Sequence, residues 1–514
     1  MPGGDATTTL PLRDTIPAGA GRGSRLSRLR SGALAGTDRG VLIGALALLA
    51  IVLLSALVVV MAAERPSLLS APSHSNFFPG WMAGPLGGIW PGLTRNGTTL
   101  KYLFSGAIVI MYVGYLAVVA VAPRLPLRWV LATIAAVHAI FLLAPPLALT
   151  DIFNYVNYGR MEVVHHLNPY TTIPILEPHN DPSFALSNWH ELLSPYGPLF
   201  TLLTFVVVPV GVAGTFWVLK LILAAASLGT IFLVWKCAQR LGRNPVSAIV
   251  FVGLNPVVLV WGLGGDHNDF LMVFFIVLGF YLLLARRPAA EREHAAAGPG
   301  GWLLPLNAAG ICAGVAFMTA AGIKASAAVL IPVVLAGLLR APRTLVQVVL
   351  GMAAAAAVVG AASLLAFGLH IPDLSTQSRL VTNESVPNLI GLALGAGGQT
   401  ETLRELMSGV LAVSLLLCCR LAWRERESLT ASGWASVALL VTLSWVLPWY
   451  VLWLLPLAAL SRSRRLRTAA LVLGAYLIVT WAPASTALWN AFDFHPENTA
   501  LGRLHHRYVK ELLN

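Results

Sequence analysis

The sequence predicts an all-α integral membrane protein with about 13 transmembrane helices. Of its 514 residues, 57% are hydrophobic and only 11% are charged, whereas a typical soluble domain has about 25% charged residues. Apolar runs of about 20 residues recur along the chain, and this length matches the ~30 Å hydrocarbon core of a bilayer. The first run, 41–63, contains no charged residue.

The predicted spans follow these apolar runs in chain order. They are 41–63, 102–122, 127–149, 215–236, 245–264, 269–285, 302–321, 325–339, 345–368, 403–421, 429–447, 449–461 and 467–484. A further apolar stretch, Leu199–Val212, has only 14 residues and contains Pro209. We interpret it as a re-entrant or short helical segment.

The basic residues predict the orientation of the chain. If 199–212 does not cross the bilayer, the connections rich in Arg and Lys all fall on one side, which the positive-inside rule identifies as the cytoplasm. These connections contain Arg124/Arg128, Lys236/Arg240/Arg243, Arg286/Arg287/Arg292, Arg340/Arg343, Arg420/Arg424/Arg426 and Arg462/Arg464/Arg465/Arg467. The N-terminus is then cytoplasmic, and the C-terminal tail 485–514 is extracytoplasmic.

Three regions follow from composition and topology. Residues 1–39 are rich in Gly, Thr, Pro and Arg, which predicts a disordered basic tail in the cytoplasm. Residues 40–484 form the polytopic membrane domain. Its outer loop 150–198 is long enough to carry a function, and 369–402 is a second outer loop.

Charge and cysteine content exclude two other classes of protein. The net charge is +12, but the arginines lie in short clusters between apolar runs, which indicates membrane topology and not a nucleic-acid surface. The four cysteines lie within or beside apolar runs and form no CxxC motif. We therefore expect neither a disulfide framework nor a cysteine metal site.

The first candidate site lies directly after the third predicted span. In a helix, the spacing of Asp151, Asn154, Tyr155 and Tyr158 puts these side chains on one face. A carboxylate beside a polar and aromatic stripe at the membrane boundary is a candidate catalytic group. The alternative is a helix-capping Asp followed by interfacial tyrosines, which membrane proteins favour in any case.

The second candidate is the turn Gly264-Gly265-Asp266-His267-Asn268-Asp269, between two apolar spans. Two carboxylates and an imidazole could bind a divalent metal. A solvated hairpin tip would look similar, and the spacing fits no standard ligand motif. We expect no metal here, although a divalent ion is possible.

Two cations in the outer segments are candidates for binding an anion. Lys324 interrupts apolar sequence, where a charge is costly unless it snorkels or serves a site. Arg379 lies in the second outer loop with Asp373 and Glu384. Together Lys324 and Arg379 could hold a phosphate group, and snorkelling is the competing explanation for each.

Aromatic residues at turns complete the set of candidates. Asn168-Pro169-Tyr170 and Ser194-Pro195-Tyr196-Gly197-Pro198 are turn signals in the first outer loop. Trp449 and Tyr450 could stack on a sugar ring, or they could be belt residues at the interface.

The order of these motifs resembles that of a known family. The motifs are similar to those of the actinobacterial polyprenol-phosphate-mannose-dependent α-1,6-mannosyltransferases. In chain order they are Asp151 with Asn154-Tyr155 and Tyr158-Gly159, then Asn168-Pro169-Tyr170, Ser194 to Pro198, Asn255-Pro256, Gly264-Gly265-x-His267-Asn268 and Ile323-Lys324-Ala325. These mannosyltransferases belong to the GT-C class of multi-span glycosyltransferases. The resemblance covers about residues 100–460, and the order of the six motifs carries it because each is weak alone.

The resemblance implies a GT-C-like fold in the bacterial cell membrane, with the active site on the extracytoplasmic face. It implies a polyprenyl-phosphate-linked sugar, most readily mannose, as donor and a glycan or glycolipid as acceptor. Asp151 matches the acidic residue that the family uses as base, although here it follows the third span and not the first. The two leading spans therefore depart from the pattern.

The hypothesis is an inverting transfer with Asp151 as general base and no metal or other cofactor. Lys324 and Arg379 would stabilise the leaving phosphate. The remaining candidates would bind or enclose the substrates: Asn154, Tyr155, Tyr158, Asn168, Tyr170, Tyr196, His267, Asn268, Asp269, Trp449 and Tyr450. The alternative is a lipid or sugar transporter or flippase, but charges at span ends on one side favour an interfacial enzyme.

Overall fold

The structure is a computed structural model that describes residues 23–64, 80–90, 97–147, 151–296, 308–425, 427–495, 498–499 and 503, and these contain helices and no β-strand. The α-helices of eight or more residues are α1 (Gly23–Glu64), α2 (Gly97–Val121), α3 (Leu127–Leu142), α4 (Asp151–His165), α5 (Pro198–Val207), α6 (Gly211–Arg240), α7 (Pro245–Gly253), α8 (Asp269–Ala296), α9 (Ala308–Ile323), α10 (Ile331–Leu338), α11 (Pro342–Phe367), α12 (Val386–Ala393), α13 (Glu401–Glu425), α14 (Ser428–Thr442) and α15 (Arg464–Trp481). The predicted all-α class is confirmed.

The membrane character is also borne out, but the predicted number of spans is not confirmed. Five helical segments of the described chain are long and apolar enough to cross a bilayer: Arg39–Ala63, Gly97–Arg124, Pro198–Arg240, Pro342–Phe367 and Glu401–Glu425. Most of the other predicted spans correspond to apolar helices of 10–17 residues. The count of thirteen therefore stays a prediction.

Two of the predicted spans, 245–264 and 449–461, are divided into shorter helices. Within 245–264, α7 ends at Gly253 and a separate π-helix covers Val258–Leu263. Pro256 lies between them, and since proline has no N–H, it cannot continue the α-helical hydrogen bonds. The predicted span 449–461 is instead a 3-10 helix, Pro448–Trp453, followed by the short helix Leu455–Leu460.

The stretch 199–212 is a short helix, one of the two predicted possibilities. Helix α5 has 10 residues and is therefore ~15 Å long, about half of the hydrocarbon core. A 3-10 turn, Val208–Val210, follows it and contains Pro209. Gly211 has a φ of 82°, so the chain changes direction before α6.

Helices occur near both ends of the described chain. Helix α1 begins at Gly23, within the segment 1–39 for which the sequence predicts a disordered tail. Leu, Arg and Ala are good helix formers, and they let the helix extend before the apolar run. Residues 1–22 lie outside the described part. The predicted tail 485–514 starts with a helix, Ser485–Ala491, and most of it after 495 is not described.

Close helix contact depends on glycine between α9 and α11. A Cβ atom on Gly314 would lie 2.0 Å from the carbonyl oxygen of Val348, and one on Gly351 would lie 2.0 Å from that of Ile311. Small residues allow backbones to approach in this way in membrane proteins. This contact fixes α9, and α9 ends directly before Lys324.

Four chain segments converge on one place in the fold. Helix α4 starts there with Asp151, and α8 starts there with Asp269. Lys324 lies between the end of α9 and a 3-10 helix, Ala325–Leu330. The 3-10 helix Pro448–Trp453 supplies aromatic rings at the same place: Trp449 stacks on His267, and the ring of Tyr450 lies near the Lys324 ammonium.

Candidate functional site

Asp151 is the first residue of α4, and its side chain is 16% exposed. The segment is helical, which is the condition under which the spacing of these residues puts their side chains on one face. Asn154, Tyr155 and Tyr158 on that face are all buried. The side chain of Asn154 accepts hydrogen bonds from the backbone of Asn188 and Trp189. The helix is thus held against the later part of the 150–198 segment, which leaves only Asp151 of this set partly open.

His267 faces Asp151 across the site. Its Nδ1 lies 3.1 Å from Oδ2 of Asp151, although the orientation is not that of a regular hydrogen bond, since His267 Nδ1 has no hydrogen-bond partner in the described residues. The imidazole stacks on the Trp449 ring at 3.4 Å between centroids and 9° between planes. One face of Trp449 is thereby occupied by protein and is closed to a sugar ring.

The turn 264–268 carries His267 and leaves no space for side chains at its two glycines. A Cβ on Gly265 would lie 2.3 Å from the Trp261 carbonyl oxygen, and one on Gly264 would lie 2.4 Å from Leu147 Cδ1. The carbonyl of Gly264 accepts a hydrogen bond from the Leu147 N–H at 2.8 Å. The turn is therefore packed directly on the chain that leads to α4.

Lys324 is paired with Asp269 at the end of this turn. Its Nζ donates to both carboxylate oxygens, at 2.9 and 2.8 Å, and the Trp453 indole N–H donates to the same carboxylate. The Lys324 ammonium also lies 5.1 Å from the centroid of Tyr450, a distance suited to a cation–π interaction. The lysine side chain is 21% exposed and Asp269 is 1% exposed.

Asn268 joins the turn to the aromatic part of α4. Its backbone N–H donates to the hydroxyl oxygen of Tyr155 at 3.2 Å. Both polar atoms of its side chain are buried without a hydrogen-bond partner in the described residues. Tyr155 makes an edge contact of 4.7 Å with Tyr196, whose ring is also 6.0 Å from Tyr158.

Two candidates have structural contacts that account for them. Asn168 donates from its side-chain amide to the Phe367 carbonyl at 2.9 Å. The Tyr170 hydroxyl donates to the Tyr196 carbonyl at 2.8 Å, and its ring packs on Phe367. These residues fasten the 150–198 segment to the end of α11.

Among the described residues, no ion pair joins Arg379 to Asp151, the turn or Lys324. Arg379 ends the exposed short helix Ser375–Arg379, and its charge acts on Asp373. Hydrogen bonds from Ser375 are the main reason that the pKa of Asp373 is lowered. The neighbouring Leu380 is buried against Trp189 and Leu192, so this segment does touch the first outer loop.

Sequence reasoning missed two groups of paired charges, one of them in the turn. Lys220 in α6 pairs with Asp266 in the turn, at 2.9 and 2.8 Å to the two carboxylate oxygens. A lysine inside a predicted span indicates a functional residue by itself. Lys220 could therefore have been identified from the sequence. The second is the carboxylate of Asp181, which accepts hydrogen bonds from Arg160 and contacts His165.

The described residues contain no group of three or more His, Cys, Asp or Glu side chains arranged to hold a metal ion. In the turn, each of the two carboxylates is already paired with a lysine.

A separate apolar groove of about 660 Å³ lies between α3 and α6 and is lined by residues such as Leu131 and Phe232. No carboxylate lines that groove.

Comparison with known proteins identifies related sequences. Residues 41–340 match the family described as alpha-(1->6)-mannopyranosyltransferase, N-terminal domain, and residues 383–497 match the MptB C-terminal domain. The chain is 29% identical to alpha-(1->6)-mannopyranosyltransferase A of Mycobacterium tuberculosis over 66% of its own length and 67% of that protein. It is 26% identical to the protein of the same name from Corynebacterium glutamicum, over 62% and 68% of the two chains. No solved structure matches the chain.

Proposed function

Because the chain belongs to the alpha-(1->6)-mannopyranosyltransferase family, we propose that it transfers mannose from a polyprenyl phosphate to a glycan or glycolipid, with Asp151 as the general base. The family identifies a membrane glycosyltransferase that moves a mannosyl group. The lipid phosphate donor, inversion at the anomeric carbon and the role of Asp151 are the parts we propose. The site would face the extracytoplasmic side.

The proposed reaction is a single displacement. The acceptor hydroxyl oxygen attacks the anomeric carbon while its proton passes to Asp151. The bond from that carbon to the phosphate oxygen breaks, and the electron pair stays on the phosphate. Attack from the side opposite the leaving group inverts the anomeric carbon.

Asp151 suits the role of base because its charge is not held by a lysine. Asp266 and Asp269 are each paired with a lysine, whereas Asp151 is approached by His267 at Oδ2. In our proposal, His267 orients the carboxylate through Oδ2 and Oδ1 takes the proton. This changes the predicted role of His267 from binding sugar hydroxyls to positioning the base.

Lys324 suits the role of phosphate partner because it is charged, partly exposed and held in place. Its pairing with Asp269 and its contact with Tyr450 fix the ammonium, and a fixed cation stabilises charge that develops in a transition state. A lysine in this position would do what a divalent ion does in other enzymes. Arg379 stays the second candidate cation, to be tested separately.

The observation that carries the proposal is that one turn connects the two charged groups. His267 contacts Asp151 and, two residues later, Asp269 contacts Lys324. The proposed base and the proposed phosphate-binding cation therefore border the same short segment. Such an arrangement suits a transfer between a hydroxyl and a sugar phosphate, because the reacting groups must be held close together.

The test is the Asp151→Asn variant, assayed for incorporation of labelled mannose from a polyprenyl-phosphate donor. A general base contributes about 10²–10⁴-fold, so turnover should fall at least ~10²-fold with unchanged expression. Asp373→Asn is the matched control, because Asp373 is an exposed aspartate of the second outer loop that bonds only to Ser375 in the described residues. Near-normal turnover of Asp151→Asn would remove the base assignment.

A further inference from the structure

Lys220 and Asp266 form an ion pair in the interior of the protein. The Lys220 side chain is 0% exposed and that of Asp266 is 3% exposed. The ammonium also lies 5.4 Å from the ring centroid of Phe216. Such a pair adds little to stability, because the cost of removing both charges from water offsets their attraction. Stability alone therefore does not explain it.

The backbone at Asp266 suggests what the pair does. Asp266 has a φ of 57°, a left-handed conformation that residues other than glycine adopt rarely. The two hydrogen bonds from Lys220 tie this residue to the middle of α6. They hold the turn in a conformation that it would otherwise leave more easily.

The residue after Asp266 is the one that contacts Asp151. Three contacts fix the position of His267. The turn lies before it, the Trp449 ring stacks on its face, and Asp269, two residues later, is paired with Lys324. Lys220 thus fixes one end of this short segment and Lys324 fixes the other. A change at Asp266 would move the imidazole relative to Oδ2 of Asp151, now 3.1 Å from Nδ1.

We propose that Lys220 and Asp266 are positioning residues for mannosyl transfer. They fix the turn so that the His267 imidazole stays beside Oδ2 of Asp151, which leaves Oδ1 to take the proton. The inference rests on the function proposed above. Neither residue touches the reacting atoms, and both act through His267. Small errors in the direction of a base cost much of its effect.

The experiment uses a double variant, Lys220→Met with Asp266→Asn. Methionine replaces the lysine stem, asparagine tolerates a positive φ, and no unpaired charge is left in the interior. We expect a thermal midpoint close to that of the unaltered protein and an unchanged KM for the donor. The kcat should fall at least tenfold and its pH profile should shift, because Asp151 is no longer held in the same way.

A pair with a merely structural role predicts something different. It would lower the amount of folded protein and leave the KM, kcat and pH profile of the folded fraction unaltered. Glu401→Gln is the matched control, because it breaks the exposed ion pair of Arg404 with Glu401 far along the chain. We expect that variant to keep its kcat and pH profile.

A second double variant, Lys220→Met with Asp266→Gly, covers the case in which the first does not fold, since glycine accepts a positive φ without strain. We expect the same loss of kcat. A kcat and pH profile equal to those of the unaltered protein in either folded double variant would overturn the proposal. Failure of both to fold would overturn it too, because the pair would then be needed for folding and not for positioning.

Asp151→Asn in the same assay separates this inference from the proposed function. If Asp151→Asn is active, the assignment of the base is wrong and the positioning role is wrong with it. If Asp151→Asn is inactive while the double variants turn over normally, only the positioning role is wrong.

Discussion

At the scale of single residues, the site depends on which carboxylates are neutralised and which are not. Asp266 and Asp269 are held by Lys220 and Lys324. Among the described residues, Asp151 is paired with no lysine, and its ion-pair contact is the imidazole of His267. In our proposal, the environment separates carboxylates of the same type into two that organise the turn and one that takes a proton.

Another carboxylate, in the 150–198 segment, has a raised pKa. Glu177 is buried in the 150–198 segment, and its carboxylate oxygens have no hydrogen-bond partner in the described residues. Burial raises its pKa to about 8, and the neighbouring Asn157 amide offsets this only in part. Nearby, Asp181 behaves in the opposite way: hydrogen bonds from Arg160 and Ser183 outweigh burial and hold its pKa low.

The pKa of Glu177 predicts how stability depends on pH. Between its unfolded value near 4.5 and about 8, the folded protein keeps a proton that the unfolded chain has lost. Stability should therefore fall as the pH rises through this range. Because one pKa unit corresponds to about 1.4 kcal/mol, Glu177→Gln should remove an effect of a few kcal/mol.

The measurement is the thermal midpoint in detergent at pH 5 and pH 8. Glu177→Gln should lose less stability between these values than the unaltered protein and should be the more stable of the two at pH 8. Glu191→Gln serves as control, because Glu191 is exposed in the same segment. An identical pH dependence in Glu177→Gln and the unaltered protein would show that Glu177 is ionised in the folded state.

At the scale of helices, the contact between α9 and α11 places Lys324. Gly314 and Gly351 each lie against a carbonyl oxygen of the opposite helix, so a methyl group at either position would force the helices apart. Lys324 follows directly on the end of α9 at Ile323. Displacement of α9 would therefore move the cation as well as weaken the packing.

Gly351→Ala should lower both stability and mannosyl transfer. A misfit of this kind in a packed interior costs about 1–3 kcal/mol, and we expect a lower thermal midpoint and a several-fold loss of turnover. Gly360→Ala on the same helix is the control, since a Cβ there meets nothing within 4 Å, and alanine favours the helix. Equal behaviour of the two variants would mean that the helices do not approach as closely as described.

At the scale of the whole molecule, local patterns predicted the local structure around the candidate residues, and long-range contacts determined which of them meet. The helical spacing after Asp151 and the polar turn before Asp269 could be identified from the sequence, because each is formed by residues close together in the chain. The partners of the turn were not, since Lys220 is 46 residues from Asp266 and Lys324 is 55 residues from Asp269. Pairings of this kind depend on how helices pack.

The predicted spans also show which features can and cannot be predicted from local sequence. Hydropathy located the apolar segments but did not detect the break between α7 and the π-helix, where Asn255 accepts hydrogen bonds from the backbone of Val257 and Val258. The Asn255-Pro256 pair signals such a break because proline cannot continue a helix. A long apolar run in a membrane protein of this kind is therefore not always one helix.

The central claim is that Asp151 and Lys324 act in one site, and a double-mutant cycle tests it most directly. The measurement is kcat/KM for mannosyl transfer by Asp151→Asn, Lys324→Met and the variant with both changes. Groups that act together on one transition state are strongly non-additive, so the double variant should be little worse than the more impaired single variant. Losses that multiply in full would contradict the account, because they would show that the two residues act independently.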